Sequence, residues 1–255
     1  MPLLDPQYLP EYLQQLDVPL QDRLDALTER ENGGEHELMR LYESAVYSSQ
    51  IEGSKVTLNV FKATVEAAGE KRLPRDVQQV KDVVEAYQFA KQNDLNKENL
   101  LEAHRILSAN LLHANDQGAW RTKGVKVGNA FVTIYMPPHQ SLVPRYMDEL
   151  MKEVASLVQL KFSIEQAFYY AAYLHLVFAK IHPFIDGNGR CERLLEKWFL
   201  ASQIGEIAWS IGSEGYYIRN LDAYYENLAA IGPDWGALQW ERSVPFLLML
   251  ARSVG

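Results

Sequence analysis

Apolar residues recur at steps of three and four along most of the chain, which is the spacing of one face of an α-helix. One such stripe begins at about Glu35 and stops at Gly53. Its members are Leu38, Leu41, Ala45, Ser48 and Glu52. Because the last two are polar, the stripe predicts a helix that turns a hydroxyl and a carboxylate toward the protein interior.

The same spacing predicts more helices further along the chain. They are expected over 76–93, from about Asn96, after Pro144, over 163–181 and over 188–203. The helix over 163–181 opens with Ser-Ile-Glu-Gln, the S-x-x-Q form of a capping box. The remainder is helical in outline, with breaks at Gly212, Gly215 and Gly232-Pro233.

One short segment has a different pattern. Val125-Lys126-Val127 alternates between apolar and polar residues, and Gly128-Asn129-Ala130 is typical of a turn. Residues 131–136 are then rich in β-branched and aromatic side chains up to Pro137-Pro138. This pattern predicts a β-hairpin. The fold class is therefore all-α with one short hairpin. We expect an N-terminal helical region over 1–95, a core domain over 96–235 and a C-terminal helical tail over 236–255.

Composition narrows the class of protein. The chain has 255 residues, 47% of them apolar and 23% charged, which is ordinary for a globular protein with a proper core. Its net charge of −8 and the lack of a basic run argue against a nucleic-acid role. The single cysteine, Cys191, excludes an internal disulfide, and six histidines without cysteine clusters make a structural zinc site improbable.

The start of the chain and its most apolar stretch bear on location. The first six residues contain an acid and two prolines, so we expect no signal peptide. The stretch 167–181 is too short to span a membrane and contains His175 and Lys180, which is typical of a buried core helix. The expectation is a cytoplasmic protein without membrane contact.

Candidate chemistry is concentrated in residues 181–193. Pro183 and two glycines predict a tight loop between two helices, and the second helix would start near Asn188. The free N–H groups and the positive end of that helix favour an anion such as phosphate.

Four side chains add to this predicted anion site. Arg190 and Arg193 are neighbours on the first turn and can bind phosphate oxygens. Asp186 offers a hard oxygen ligand, as a Mg²⁺–nucleotide site requires. His182 has an ordinary pKa that suits proton transfer near neutral pH.

This segment resembles the signature of the Fic family, H-P-F-x-[D/E]-G-N-G-R-x-x-R, and matches every specified position. The resemblance implies a mostly helical fold with a hairpin flap. It implies that His182 takes the proton from a target hydroxyl, that Asp186 holds Mg²⁺, and that 187–189 form the anion hole. Gly187, Asn188 and Gly189 thus join Arg190 and Arg193 as nucleotide-binding residues, and Phe184 would pack inward.

The resemblance extends to two further regions. Trp120-Arg121-Thr122, followed by Val127, Gly128 and Pro137, resembles the flap whose edge pairs with an extended target segment. Tyr224 and Tyr225 resemble a tyrosine pair that lines the base pocket in some relatives. An Asn that those relatives place eight residues after the first Tyr is absent, because Gly232 stands there.

A second family pattern, [S/T]-x-x-x-E-[G/N], matches Ser48, Glu52 and Gly53 upstream of the signature. The resemblance implies an N-terminal inhibitory helix, which defines the family's class II. A carboxylate on a buried stripe needs a charged partner, and Arg193 is the one expected. If Glu52 pairs with Arg193, that arginine cannot take the γ-phosphate of ATP.

The resemblance implies a Mg²⁺-dependent protein adenylyltransferase that moves AMP from ATP to a Ser, Thr or Tyr hydroxyl. The site could instead remove AMP, with Glu52 positioning a water, or transfer UMP, GMP, phosphate or phosphocholine. Gly189 argues against phosphate transfer, because phosphate-transferring relatives carry Lys there. A catalytically silent nucleotide-sensing module is a further alternative, which the intact His182 and Asp186 disfavour.

The partners implied are a target protein, which can be the chain itself, and a second copy in a homodimer. Many relatives continue into a winged-helix domain, whereas this chain stops after the apolar segment 244–250. That segment is interpreted as a helix docked on the core, a self-association surface or the point where a longer protein was cut.

Overall fold

The computed structural model describes residues 2–31, 37–69, 71–128 and 133–254. Within these ranges the chain forms twelve α-helices and one two-stranded hairpin. The helices are α1 Leu9–Gln15, α2 Leu20–Glu31, α3 Glu37–Ile51, α4 Leu58–Ala68, α5 Arg75–Gln92, α6 Lys97–Leu107, α7 Val143–Leu157, α8 Ile164–Ile181, α9 Asn188–Ile204, α10 Ser213–Arg219, α11 Leu221–Ala230 and α12 Val244–Arg252. The predicted all-α fold with one hairpin is confirmed.

Helices α8 and α9 form the centre of the molecule and have the most extensive mutual packing of any pair. Nearly every residue of α8 is buried, which explains its continuous apolar sequence. Its predicted capping box is present, since Ser163 and Gln166 each bond to the other's backbone. No helix in the described ranges is long and apolar enough to cross a membrane.

Two N-terminal helices, α1 and α2, were not anticipated individually by the sequence analysis. Leu20, Leu24 and Leu27 form the buried face of α2. Their spacing is helical, but the polar residues between them conceal it.

Helix α3 differs in two respects from the predicted stripe. Leu41, Ala45 and Ser48 are buried, but Leu38 is 49% exposed, so the buried face begins one turn later. The helix ends at Ile51, and Glu52 lies in the turn that follows, where the residue is exposed rather than part of the buried stripe as predicted. The predicted start near Glu35 falls outside the described residues.

The hairpin consists of β1 Val127–Gly128 and β2 Thr133–Tyr135, paired antiparallel with Val127 opposite Tyr135. Its predicted turn at 129–132 lies outside the described residues. After β2, Met136 bonds in both directions with the segment that follows α11: its N–H donates to Pro233 O and its carbonyl accepts from Trp235 N. The hairpin is thereby fastened to the end of α11.

Helix α12 contains the apolar C-terminal segment. Phe246, Leu247 and Leu250 are each at most 1% exposed, and the helix packs along α8. This burial agrees with the interpretation of core docking rather than of an exposed self-association surface.

Candidate active site

His182 ends the central helix α8 in a left-handed conformation, with φ 50°. It is the one non-glycine residue in the described ranges with positive φ, a conformation that costs free energy for a residue with a Cβ. Its N–H donates to Phe178 O at 2.9 Å. Its carbonyl accepts from Nε of the buried Arg121 at 2.8 Å. Burial lowers the pKa of His182, so the ring is a neutral base at pH 7.

Arg121 binds several backbone carbonyls at once. Besides His182 O, it donates through NH2 to Pro138 O at 2.6 Å and through NH1 to Lys123 O at 3.2 Å. Its own N–H donates to Pro183 O at 2.9 Å. One guanidinium group therefore joins the histidine backbone to the base of the hairpin.

The loop after His182 is closed by Asn188. Its side chain accepts from Phe184 N at 2.8 Å and donates to Phe184 O at 2.9 Å. The Asn188 side chain is therefore occupied within the protein, and a ligand at the predicted anion hole would meet backbone N–H groups. Phe184 is fully buried, as predicted.

A second histidine, His104, packs against the loop that follows His182 and bonds to its backbone. Its ring stacks on Phe184 with centroids 3.4 Å apart and planes 1° from parallel. Nδ1 accepts from Gly118 N at 3.0 Å, so Nε2 carries the proton and donates to Asp186 O at 3.0 Å. Burial lowers the pKa of His104 to about 4, which keeps this arrangement neutral.

Gly187 precedes α9 with φ +81°. A Cβ at this position would lie 3.1 Å from Leu107 Cδ1 and 3.3 Å from His104 Nε2. Glycine is required both by the conformation and by this close approach.

The N-terminus of α9 faces the carboxylate of Glu52. A Cβ built on Gly189 would collide with Oε1 of Glu52, and Oε2 would lie 3.1 Å from it. The carboxylate is thus in direct contact with the first turn of the helix, the position that favours an anion. Glu52 occupies the place predicted for phosphate.

Arg193 is fully buried and binds the same turn of chain through several atoms. NH2 donates to Glu52 Oε1 at 2.8 Å and to Ser48 O at 2.9 Å, while Nε donates to Ser48 Oγ at 2.9 Å. The pairing expected between Glu52 and Arg193 is present in the structure, and Ser48 completes it. Gly53, with φ +90°, turns the chain directly afterwards.

Helices α3 and α9 run antiparallel with matching steps of four residues. Glu52 meets Gly189, Ser48 meets Arg193, and Ser44 accepts from Lys197 Nζ at 2.8 Å. Lys197 also donates to the buried Glu214 of α10 at 2.8 Å. The turn that holds Glu52 is therefore the end of a register fixed by three contacts along about two helical turns.

Arg190 and Asp186 lie at the same helix start without such partners. In the described part of the chain, Nε and NH1 of the buried Arg190 have no hydrogen-bond partner, which leaves donors for an anionic ligand. Asp186 is exposed, and its Oδ1 accepts from Gly187 N at 2.6 Å. One exposed carboxylate fits Mg²⁺, which takes few protein ligands when phosphates supply the others. No cluster of three metal-binding side chains occurs among the described residues.

A cleft of about 480 Å³ opens in front of these groups. Its lining includes Glu52, Gly189, Glu192, His182, Lys180, Tyr224, Tyr225, Leu228 and Ala229, with Val127, Gly128, Ile134 and Tyr135 from the hairpin. Tyr224 is buried, whereas Tyr225 is 47% exposed and donates to Ile51 O at 3.0 Å. Val127 and Gly128 line the cleft as the predicted flap does, while Pro137 lies beyond the strand.

Lys180 joins three walls of this cleft. Its ammonium donates to Leu228 O near the end of α11 at 2.7 Å and lies 4.2 Å from the centre of the Tyr135 ring. Tyr135 in turn donates to Lys180 O at 2.8 Å. Burial lowers the pKa of Lys180 to about 8.

A buried charged network lies behind the cleft. His175 Nδ1 is 2.7 Å from Glu196 Oε2, and Nε2 is 3.0 Å from the Tyr224 hydroxyl and 3.4 Å from Glu192 Oε1. Tyr224 donates to Glu192 at 3.1 Å and lies 3.4 Å from Arg193 NH1. The network connects Tyr224, which lines the cleft, to Arg193, which binds Glu52.

Four of these residues were not predicted from the sequence to belong to the site. Arg121 was named only as part of the flap, and His104 was not singled out, although it lies on the buried apolar stripe of α6. A polar residue on such a stripe is the available signal, because a buried ring needs partners for both nitrogens. Lys180 and Glu192 carried no comparable signal, since their partners lie on other helices.

Residues 94–200 match the family model described as the Fic/DOC family. The chain therefore contains a Fic/DOC domain, and the resemblance seen in the signature is confirmed.

Among known proteins, the chain is 28% identical over 169 residues to the protein adenylyltransferase Fic of Nematostella vectensis. This match covers 60% of the chain and 36% of that protein, so the chain spans about a third of its length. A Fic family protein from Desulfovibrio desulfuricans has a similar fold, with a TM-score of 0.73 and 22% identity over 92% of this chain and 70% of that one. A Fic domain containing signaling protein from Bacteroides thetaiotaomicron also has a similar fold, with a TM-score of 0.65 and 19% identity. That match covers 92% of this chain and 93% of the other.

Proposed function

We propose that this protein transfers AMP from ATP to a hydroxyl side chain of a protein, and that Glu52 inhibits the reaction. The observation that carries the proposal is the position of the Glu52 carboxylate, which binds Arg193 and covers Gly189 at the start of α9. A carboxylate held there competes directly with a nucleotide phosphate, since both need the same cationic and N–H donors.

The reaction follows from the groups around the cleft. His182 takes the proton of the target hydroxyl, whose oxygen attacks the α-phosphorus of ATP. The new oxygen–phosphorus bond forms as the bond to pyrophosphate breaks. The first-turn N–H groups of α9, with Arg190 and Arg193, hold the phosphates in line. Asp186 would hold Mg²⁺ against the phosphates, where the ion neutralises their charge.

Inhibition has a simple physical basis. Transfer depends on alignment of the α-phosphorus with the attacking oxygen. While Glu52 holds Arg193, the outer phosphate loses its guanidinium partner and meets a negative charge instead. This is the arrangement of class II, with the inhibitor N-terminal to the domain in the same chain. We expect the protein to act in the cytoplasm on a protein target, which includes a copy of itself.

The test is label transfer from ATP carrying ³²P in the α-phosphate, with Mg²⁺, to the protein itself and to a cell extract. We expect weak labelling by the unaltered protein and at least a tenfold gain for Glu52→Gly. The gain must vanish in Glu52→Gly/His182→Ala. Lys55→Gly, at an exposed position near the same turn, is the matched control and should leave labelling weak.

Two results would contradict the proposal. If neither protein transfers label from ATP while Glu52→Gly does so from GTP or UTP, the nucleotide is wrong. If the unaltered protein removes AMP from a pre-labelled target and Glu52→Gly does not, Glu52 acts by positioning a water and the reaction runs in reverse.

A further inference from the structure

Glu192 occupies the second of the two unspecified positions between Arg190 and Arg193 of the signature and is a buried carboxylate on the wall of the cleft. Its residue surface is 4% exposed, and it lines the cleft together with His182 and Tyr224. A buried carboxylate is costly unless its neighbours compensate for it. Glu192 beside the proposed phosphate site must therefore be stabilised by neighbouring donors or positive charges.

The neighbours keep Glu192 ionised. Oε1 accepts from the Tyr224 hydroxyl at 3.1 Å and lies 3.4 Å from His175 Nε2 and 3.8 Å from Arg193 NH1. Burial alone would raise the pKa of Glu192, but His175 and Arg193 outweigh it and lower the pKa. The group is thus an anion that can only accept hydrogen bonds.

The second oxygen is available to the cleft. Every contact named above uses Oε1, and Oε2 has no hydrogen-bond partner among the residues that the structure describes. Because Glu192 itself lines the cleft, Oε2 is the acceptor of this carboxylate that is left for a ligand there. An acceptor directed at a ligand cleft selects a ligand with a donor at that point.

The position of Glu192 along the cleft indicates which donor it meets. It stands about one helical turn after Gly189, where the phosphates are proposed to bind, and the cleft lining also includes Leu228 and Ala229, whose apolar side chains suit a nucleobase. In a nucleotide the ribose lies between phosphates and base. Resting on the proposed function, we infer that Oε2 of Glu192 accepts a hydrogen bond from one ribose hydroxyl and selects nucleotides that carry that hydroxyl.

Calorimetric binding of nucleotides with Mg²⁺ to Glu52→Gly tests the inference without requiring transfer. One of 2′-deoxy-ATP and 3′-deoxy-ATP should bind about tenfold more weakly than ATP, as expected for a lost bond to a charged acceptor. In Glu52→Gly/Glu192→Met the same analogue and ATP should bind within about twofold of each other. Glu192→Gln, which keeps the shape, should give an intermediate ratio and serves if the Met variant does not fold.

Glu196→Gln is the matched control, because Glu196 also contacts His175 but does not line the cleft. It should keep the tenfold preference. The inference is overturned if both deoxy analogues bind like ATP, if the preference survives in Glu192→Met, or if it is lost equally in Glu196→Gln. A preference only against inosine triphosphate would assign Glu192 to the base amine instead. Absence of binding by any nucleotide would refute the proposed function, and this inference with it.

Discussion

The hydroxyl of Ser48 accepts a hydrogen bond of 2.9 Å from Nε of the fully buried Arg193. Its backbone carbonyl accepts a second bond from the same guanidinium group. Ser48 therefore satisfies a buried cation that Glu52 reaches from one side only. The serine of the inhibitory pattern thus has a structural reason, which the sequence alone does not reveal.

Replacing Ser48 by Ala should destabilise the protein by about 1–3 kcal/mol, because Nε of Arg193 then remains buried without an acceptor. The measurement is the free energy of unfolding in urea. Ser49→Ala is the matched control. Its hydroxyl is buried without a partner among the described residues, so its removal should change stability by less than about 0.5 kcal/mol. Equal losses in the two variants would contradict the role of Ser48.

Arg121→Met should reduce transfer by the Glu52→Gly protein at least tenfold in kcat, with KM for ATP changed by less than about threefold. The reason is that Arg121 holds the carbonyl of His182 and the base of the hairpin but does not line the cleft. Steady-state kinetics checks this split. Arg145→Met removes an exposed arginine that pairs only with Glu149 in the described structure, and it should leave both constants unchanged. A rise in KM alone would place Arg121 in nucleotide binding instead.

The stability of the protein should fall as pH rises from about 6.5 to about 9. Burial alone would lower the pKa of His175, but Glu196 and Glu192 raise it to about 9. A raised folded pKa means that the stabilisation is complete below the unfolded value near 6.5 and disappears as pH passes 9. The loss should be on the order of 3 kcal/mol.

Urea unfolding at pH 6.5, 7.5 and 9 measures this dependence, and His175→Gln isolates it from other titrating groups. The variant should be less stable than the parent at pH 6.5, and the difference should shrink toward pH 9. A difference that stays constant with pH would show that His175 is neutral in the folded protein. The charged or polar groups that face the ring are Glu192 and Glu196 of α9, Tyr217 of α10 and Tyr224 of α11.

Tyr225→Phe should raise label transfer by the otherwise unaltered protein about two- to tenfold. The Tyr225 hydroxyl donates to Ile51 O, the residue before Glu52, and loss of one such bond weakens the inhibitory turn by about 0.5–1.5 kcal/mol. Because Phe keeps the ring at the cleft, transfer by Glu52→Gly should not change when Tyr225→Phe is added. Tyr216→Phe, on the neighbouring helix α10, is a control expected to have no effect on either protein. A gain that persists in the Glu52→Gly background would instead assign the hydroxyl to nucleotide binding.

The sequence predicted the features that depend on neighbours in the chain. The tight loop at 182–187, the start of α9 near Asn188 and the capping box at Ser163 each arise from residues within a few positions of one another. The pairing of Glu52 with Arg193 was also expected, although those residues are far apart in sequence, because the two family patterns imply it. The apolar spacing likewise located most of the helices.

What remained hidden depends on contacts between distant helices. The carbonyl partners of the Arg121 guanidinium group lie up to 61 residues away, and no periodicity records them. Leu38 has the spacing of a buried position, but no other helix covers it in the described structure, so half of it is exposed. Glu192 is one of three unspecified letters in the signature, and its chemistry becomes visible only when Tyr224 and His175 are found beside it.

The four-residue register between α3 and α9 restricts how Glu52 can leave its site. If α3 slid forward by one turn, Arg40 would replace Ser44 beside the buried Lys197, and two like charges would meet. A backward slide would carry Glu52 to the place of Ser48 and leave Gly189 beyond the helix end. If Glu52 inhibits transfer as proposed, we expect its release by fraying of the single turn after Ile51, a motion of nanoseconds to microseconds that leaves the core intact. Under that proposal the domain would be open for a small fraction of the time without becoming less stable, and basal transfer would measure how often this one turn of chain unwinds.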